Sequence, residues 1–283
     1  MINAETITRF IYDISLGLIS NLIVFGVALN WSTIKSFFGR GKQKFVALFG
    51  RKSLKNNNLT VVLDTYRDIR IAPQEIRHGI GYPQLPPQRF YKIFPDGHFT
   101  AFPGANEDIM GYCSARASTY IVEAFSKYLG IKVKSDLEAS SFWDGSFVCF
   151  GSSISNIKSD DIKKNINNPL LANDMDGFIT LKNGRKFGID DGRDKGYVMK
   201  IRNPFFDGYS LFVCAGMGEW GTSGAAYYLA TKWKNLSRRF GSNNFIVVVS
   251  VLPGADQSAT EIYNWSNEKW TDRIRRFFMS TKN

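Results

Sequence analysis

Residues 210–226 read SLFVCAGMGEWGTSGAA, and this stretch decides the fold class of the chain. Residues 210–215 form a short, continuously apolar run, which is typical of a strand buried on both faces of a sheet. The run passes through a glycine-rich turn into a helical pattern that extends to residue 239. A buried strand that leads directly into a long helix predicts an α/β fold.

Similar patterns occur along the chain. Strand-like runs are predicted at residues 59–64 (LTVVLD), 146–150 (SFVCF), 197–202 and 244–252 (NFIVVVSVL). Helices are predicted over residues 106–129, which begin with a capping Asn and end before a glycine, and from the loop after residue 151 to residue 166. Because buried strands alternate with helices, we expect a Rossmann-like, mostly parallel sheet with helices on both faces.

Two segments depart from this alternation. Residues 178–189 (FITLKNGRKFGI) hold Asn183-Gly184 between two alternating runs, which predicts a tight antiparallel hairpin added at one edge of the sheet. Residues 71–103 are rich in proline, glycine and aromatic residues, which indicates an irregular excursion with at most short strands.

The N-terminal part of the chain predicts a membrane anchor. Residues 10–31 (FIYDISLGLISNLIVFGVALNW) have the length of about 20 residues that a helix needs to cross a bilayer. Tyr12 and Trp31 flank the run, as aromatic residues do at membrane interfaces. Asp13 lies near one end, and Asn21 in the middle is available to hydrogen-bond a second helix. The alternatives are a buried helix and a cleaved signal peptide, although a basic segment normally precedes a signal peptide's apolar run.

The distribution of charge sets the expected topology. The net charge is +11, and residues 1–55 contribute +6 of it through eight Lys or Arg against two acidic residues. The basic residues follow the apolar run, so the positive-inside rule predicts a single-pass inner-membrane protein with its N-terminus out and its C-terminal domain in the cytoplasm. We expect a tail (1–9), a transmembrane helix (10–31), a basic juxtamembrane segment (32–58) and a cytoplasmic domain (59–283).

The same distribution bears on partners. The basic segment is interleaved with Phe37, Phe38, Phe45, Leu48 and Phe49, a pattern that favours an amphipathic segment lying on anionic lipids. Nucleic acid is disfavoured as a partner because the remaining positive charge is spread thinly. Three cysteines and two histidines without metal-ligand spacing predict neither a disulfide framework nor a metal site, and no cofactor is expected.

Two strand-to-helix turns are the candidate ligand sites, because ligands of open α/β sheets bind at the carboxyl ends of strands. Both turns carry glycines and hydroxyl or amide side chains suited to a phosphate or a ribose. The predicted ligand-binding residues are Gly151, Ser152, Ser153, Ser155 and Asn156 in the first turn, and Gly216, Gly218, Gly221, Thr222 and Ser223 in the second. The alternative is that these are ordinary turn residues, and that the second set only lets the helix lie close to the sheet.

The turn GEWGTSGAA resembles the Gly-Thr turn that opens a late helix in nucleoside deoxyribosyltransferase-like Rossmann-type domains. The strand with the GSS loop is similar to an earlier ligand loop in such folds, and the resemblance covers residues 147–252. In that family a catalytic glutamate follows the Gly-Thr pair, whereas here residues 223–226 contain no carboxylate and Glu219 precedes the pair. The resemblance therefore implies a nucleotide-like ligand, and this departure favours binding over turnover.

Other polar residues have weaker claims. Asp64, at the end of the first strand, and Glu219 are the candidate catalytic carboxylates if the domain is an enzyme. Asp190, Asp191 and Asp194 lack the spacing of a calcium loop and favour a solvated loop. Residues 203–206 (NPFF) favour a rigid turn with an apolar anchor.

These patterns support three function classes. The first is a membrane-anchored nucleotide sensor or effector that resembles, in its architecture, effectors of bacterial antiviral defence. In that case, ligand capture at the two turns changes how the domains associate, and Asn21 helps the anchors to form homo-oligomers. The second class is a membrane-tethered N-glycosidase or nucleotide hydrolase. The third is a protein-interaction module without a small-molecule ligand.

Overall fold

The computed structural model describes residues 41–65, 67–68, 88–93, 99–103, 112–166, 168–174 and 177–266. The predicted tail, the apolar run at 10–31 and the first part of the basic segment lie outside these residues. No helix in the described ranges is both long and apolar enough to span a membrane. The chain divides into two compact units, Met1–Lys44 and Phe45–Asn283, and the features below belong to the second.

The second unit is a mixed α/β domain. Its helices are α1 (residues 41–49, of which 45–49 lie in this unit), α2 (Arg51–Lys55), α3 (Tyr112–Phe125), α4 (Asp136–Ala139), α5 (Ile157–Asn165) and α6 (Glu219–Phe240). Its strands are β1 (Asn58–Leu63), β2 (Arg67–Asp68), β3 (Gln88–Ile93), β4 (Phe99–Pro103), β5 (Gly130–Ser135), β6 (Phe147–Phe150), β7 (Leu171–Asn173), β8 (Ile179–Leu181), β9 (Lys186–Phe187), β10 (Asp194–Arg202), β11 (Ser210–Gly216), β12 (Phe245–Leu252) and β13 (Ala255–Ser266).

Seven strands form the main sheet, in the order β13-β12-β10-β11-β6-β1-β5. The pairs β5–β1, β1–β6 and β6–β11 are parallel, whereas β11–β10, β10–β12 and β12–β13 are antiparallel. Five of the seven strands therefore point the same way, and only β10 and β13 run against them. The predicted mostly parallel α/β sheet is confirmed at this level, with an antiparallel region along one side.

Apolar side chains fill a core on each face of the sheet. One core contains residues of 45–49, α3 and α6 packed on the sheet, and the other contains residues of α4, α5, β7 and β8. Because successive strand residues point to opposite faces, β10 sends Val198 into the first core and Tyr197 and Met199 into the second. This two-sided burial explains why the strands read as continuous apolar runs, and it confirms helices on both faces.

The predicted hairpin is present, but its place in the fold differs from the prediction. β8 and β9 pair antiparallel around a turn in which the Gly184 N–H donates to the Leu181 carbonyl. They pair with β7 in a separate three-stranded sheet rather than with an edge of the main sheet. The antiparallel side of the main sheet is instead made by β10, β12 and β13. The sequence of the hairpin therefore correctly predicts its turn, but not the sheet to which the hairpin belongs.

The basic segment contributes to the core, which corrects the expectation that its aromatic residues lie on lipid. Phe45, Leu48 and Phe49 are fully buried, and the Phe45 and Phe49 rings stack with centroids 4.5 Å apart. The buried Lys200 on β10 donates from Nζ to the Ala47 carbonyl at 3.2 Å. The second compact unit, which begins at Phe45, thus includes this part of the basic segment. Phe37 and Phe38 lie outside the described residues.

Candidate functional site at the carboxyl ends of the parallel strands

Three neighbouring parallel strands, β1, β6 and β11, end at one edge of the sheet, which we call the carboxyl edge. The helix α6, which follows β11, packs on one face, whereas α5, which follows the central strand β6, packs on the other. Chain segments that leave neighbouring strands toward opposite faces open a crevice between them, and ligands of α/β sheets bind in such crevices. The two predicted ligand turns thus lie side by side.

The turn after β6 is held by its own hydrogen bonds. Gly151 has φ +97°, a left-handed conformation that favours glycine, and an added Cβ would lie 2.3 Å from Ser155 Oγ. Asn156 caps α5 by accepting from the Ser159 N–H at 3.0 Å, and its side-chain amide donates to the Phe150 carbonyl at 2.9 Å. Gly151 and Asn156 therefore shape the loop rather than offering free groups to a ligand.

Ser153 differs from its neighbours in this loop. The residue is 1% exposed, and its hydroxyl has no hydrogen-bond partner in the described part of the chain. Its backbone N–H donates to Asp174 Oδ2, which also accepts from the Tyr197 hydroxyl. A buried hydroxyl without a protein partner is expected to bind water or a ligand atom. Among the predicted loop residues, Ser153 is thus the strongest candidate for a polar contact from outside.

A carboxylate of the chain occupies the N-terminus of α5, where we expected a phosphate. Asp136 is fully buried, and its Oδ2 accepts from the Ile157 N–H at 2.8 Å. Its Oδ1 accepts from the Thr65 backbone and hydroxyl, so the same carboxylate also ties down the end of β1. Negative charge is favoured at a helix N-terminus, and here the protein provides that charge itself.

A second carboxylate fills the N-terminus of α6 in the same way. Asp194 Oδ2 accepts from the Gly221 N–H at 2.6 Å, and Oδ1 accepts from the Gly218 N–H at 3.1 Å. Asp194 is 6% exposed, so the expectation that it belongs to a solvated loop is wrong. Both backbone cradles that the sequence suggested for a phosphate are therefore occupied by aspartate.

The glycines of the second turn let α6 approach the sheet closely. A Cβ on Gly221 would lie 2.4 Å from the Lys195 carbonyl oxygen, and one on Gly216 would lie 2.4 Å from the Gly221 backbone. A Cβ on Gly224 would lie 2.5 Å from Val251 Cγ2. These contacts leave no room for a side chain at the three positions. The glycines therefore let the helix lie close to the sheet, which is the alternative to ligand binding given in the sequence analysis.

Thr222 and Ser223 are buried, and their hydroxyls act within the fold. Thr222 Oγ1 lies 3.5 Å from the Gly218 carbonyl, and Ser223 Oγ donates to Asp256 Oδ1 at 2.6 Å. Asp256 also accepts from Arg116 Nε at 2.7 Å, and the Arg116 guanidinium lies 3.9 Å from the centre of the Trp220 ring. This network joins α3, α6 and β13 and accounts for the Ser223 hydroxyl without a ligand.

The two candidate carboxylates, Asp64 and Glu219, lie close to Cys113 at the start of α3. Burial raises the pKa of the Cys113 thiol to about 12, and the negative charges of Asp64 and Glu219 add to this increase. Asp64 is 2% exposed directly after β1, whereas Glu219 is exposed at the first turn of α6. Sequence reasoning chose both carboxylates but missed Cys113, because residue 113 belongs to a helix that no motif links to this edge.

A shallow open pocket of about 330 Å³ adjoins Glu219. Asp194 at the start of β10, and Gly218 and Trp220 at the start of α6, also line it. The other lining residues are Ile189, Gly192 and Pro253. An exposed carboxylate beside an indole ring and aliphatic side chains suits a ligand with an apolar or aromatic body and a hydroxyl or amine donor.

Comparison of the chain with models of known protein families and with curated proteins found no match.

Proposed function

We propose that this chain is a membrane-anchored protein whose Rossmann-like domain binds a nucleotide-like small molecule at the carboxyl edge and acts as a sensor or effector through ligand-dependent association at the membrane. The observation that carries the ligand-binding part is that the chain leaves the neighbouring strands β6 and β11 toward opposite faces of the sheet, the arrangement in which α/β sheets bind ligands. The anchor part rests on the apolar run at residues 10–31 and the basic residues that follow it.

The contacts at this edge favour the hydroxyl- and amine-bearing part of such a ligand over its phosphates. Asp136 and Asp194 already bind the backbone N–H groups at the two helix N-termini. The exposed Glu219 and the Ser153 hydroxyl are groups at this edge that suit a ligand, and Asp64 is a further candidate carboxylate at the end of β1. Carboxylates accept hydrogen bonds from ribose hydroxyls or from exocyclic amines, so we expect the sugar and base to lie against the edge and the phosphates to extend away.

The experiment is a thermal-shift panel of nucleotides and nucleosides on the purified full chain, with mass spectrometry of any small molecules released from it. A ligand at 100 times its dissociation constant adds about 2.7 kcal/mol, which raises Tm by roughly 5–10 °C for a domain of this size. Asp64→Asn should remove most of this shift, whereas Asp207→Asn, in an exposed loop at the other edge, should leave it unchanged. The absence of a shift with every compound tested and of any released ligand would contradict the proposal and favour an interaction module.

The pocket beside Glu219 favours a second candidate, a membrane-tethered N-glycosidase or nucleotide hydrolase. An exposed carboxylate next to Trp220 is suitably placed to act on a bound nucleoside, with Glu219 as the acid or base. This alternative predicts that the full chain releases free base from a nucleoside or dinucleotide. Glu219→Gln should abolish that release, and an unchanged rate would remove Glu219 from the mechanism.

A further inference from the structure

The loop between β10 and β11 displays two adjacent phenylalanines to solvent. Phe205 is 53% exposed and Phe206 is 43% exposed, although both are large apolar side chains. The Phe205 ring contacts Trp143, with ring centroids 4.9 Å apart, and Trp143 is itself partly buried. The sequence predicted that this loop is a rigid turn with an apolar anchor. The rigid turn is present, but the apolar side chains point outward.

Buried polar contacts fix this loop on both sides. Asn203 is 4% exposed, and its Oδ1 accepts from the N–H groups of Phe205 and Phe206 at 3.0 and 3.1 Å. Its amide donates to the Trp143 carbonyl at 2.5 Å. On the other side, the Lys52 N–H donates to the Gly208 carbonyl at 3.1 Å. The loop is therefore held in one conformation that presents both rings, so their exposure does not result from loose packing.

The exposed rings lie at the edge of the sheet opposite the candidate ligand site, which we call the amino edge. The loop ends where β11 begins, and Trp143 lies shortly before β6 begins. The hydrogen bond from Lys52 places α2, which precedes β1, beside the same loop. The amino edge therefore combines an exposed aromatic pair with the first segment of the domain that follows the predicted anchor.

Charge differs between the two edges. At the amino edge the exposed basic residues include Arg51, Lys52, Lys55, Arg202 at the end of β10 and Arg238 at the end of α6. The acidic residues in the loops of this edge are Asp144 and Asp207. At the carboxyl edge the strand ends carry the buried Asp64, Asp136 and Asp194 and the exposed Glu219, together with Arg193 and Lys195 at the start of β10. The domain thus has a predominantly basic edge with exposed aromatics and an acidic edge with the candidate site.

We propose that the amino-edge surface, defined by Arg51, Lys52, Lys55, Phe205 and Phe206, docks on an anionic lipid bilayer. Basic side chains are attracted to anionic headgroups, and aromatic rings insert at the boundary between headgroups and acyl chains. Arg51 follows the apolar run at 10–31 by 20 residues, which keeps the domain within reach of the membrane. Docking of this edge turns the acidic carboxyl edge toward the cytoplasm, where a soluble ligand can reach it.

The inference rests on the membrane attachment in the proposed function and is independent of the nucleotide. Its test uses the full chain, with Cys113→Ser, reconstituted in vesicles of phosphatidylcholine alone or with added phosphatidylglycerol. A nitrobenzoxadiazole probe is attached at Phe206→Cys. The matched control carries the probe at Phe178→Cys, because Phe178 is 50% exposed but lies beside the separate sheet of β7, β8 and β9.

We expect the probe at position 206 to brighten several-fold and shift to the blue in the anionic vesicles only, while the probe at 178 changes little. High salt should reverse the change because it screens the headgroup charge. Arg51→Gln combined with Lys55→Gln should lower the docked fraction about tenfold or more, since each basic side chain contributes to the attraction. Both side chains are exposed, so this variant is expected to fold.

The other outcomes overturn the inference in distinguishable ways. A chain that inserts in both vesicle types while the probe at 206 stays silent refutes docking and leaves the anchor intact. Equal brightening of the probes at positions 206 and 178 would show that the amino-edge surface is not the surface that docks on the bilayer. Brightening without lipid that grows with protein concentration assigns the surface to a second copy of the chain. A chain that associates with neither vesicle type refutes the anchor and the docking together, and a nucleotide thermal shift in the same sample separates that result from failure of ligand binding.

Discussion

Replacement of Asp194 by alanine tests whether the protein's own carboxylate, rather than a ligand, completes the N-terminus of α6. The substitution removes the acceptor of three backbone N–H groups, those of Lys195, Gly218 and Gly221. Gly221 is buried, and a hydrogen bond to a charged acceptor contributes about 1.5–3 kcal/mol. The other two donors and the lost helix-dipole interaction add roughly 1 kcal/mol. We expect the free energy of unfolding to fall by about 3 kcal/mol.

The assay is urea unfolding of the full chain, followed by tryptophan fluorescence and far-ultraviolet circular dichroism. In thermal unfolding of the same chain, a loss of about 3 kcal/mol lowers Tm by roughly 6–12 °C for a domain of this size. Asp194→Asn keeps one acceptor oxygen and should show about half the loss. Asp207→Ala, in an exposed loop, is the control and should lie within ~0.5 kcal/mol of the wild type.

The same variant distinguishes aspartate from phosphate at this helix end. With Asp194 removed, the free N–H groups should bind anions, so inorganic phosphate should stabilise Asp194→Ala more than it stabilises the wild type. If Asp194→Ala unfolds with wild-type stability, or if phosphate stabilises the wild type more strongly, then the reasoning that the cradle is already filled is wrong.

Three further predictions concern buried groups and close contacts. Burial lowers the pKa of Lys200 from 10.5 to about 7, so between these values the unfolded chain binds a proton that the folded chain does not. The free energy of unfolding should then rise with pH by about 1.4 kcal/mol per unit in this window, and Lys200→Met should lack that rise in urea titrations at several pH values. Gly221→Ala should cost about 1–3 kcal/mol or more, because its Cβ would meet a backbone carbonyl. Gly145→Ala, where the nearest atom is 3.7 Å away, should be tolerated in the same denaturation assay. The Cys113 thiol should react slowly with iodoacetamide near neutral pH, and Asp64→Asn should speed the reaction by removing a negative charge that raises the thiol's pKa; an unchanged rate would place Asp64 too far from Cys113 to act on it.

Much of the sheet was predictable from the sequence because its central strands are buried on both faces. The runs at 59–64, 146–150, 210–215 and 244–252 each correspond to a strand of the structure within about two residues at either end. In a domain of mixed helices and strands, a short run of continuous apolar residues is typical of a strand that is buried on both faces of a sheet.

The two edge strands were missed for the same physical reason. β5 and β13 contact the sheet on one side only, so they carry many polar residues, as in GIKVKS and ADQSATEIYNWS. Lysines on the short β5 also discourage pairing with another chain, which makes the strand look like a surface loop. Neither edge has the apolar run that predicted the central strands.

The sequence indicated where in the fold the two candidate turns lie, but not which hydrogen bonds they make. The strand ends and glycine turns that the sequence indicated do lie at the carboxyl edge, yet the sequence could not show that Asp136 and Asp194 reach the helix N-termini there. Asp194 lies 24 residues before Gly218, and only the antiparallel pairing of β10 with β11 brings the two together. Contacts of this type depend on the strand order, which no local pattern specifies.

The mixed topology of the sheet has a consequence for how the domain folds. In its antiparallel part, Gly196 pairs with Gly216 and Phe245 with Ser266, each about 20 residues apart in the chain. In the parallel part, Thr60 must find Phe147, 87 residues later. Closing short loops is faster than closing long ones, so we expect the segment from β10 to β13 to form first and to serve as a template for β6 and β1. Pulse-labelled hydrogen exchange during refolding should then protect the amides of β12 before those of β1, and a newly made chain would acquire its stable sheet only after β13 has been synthesised.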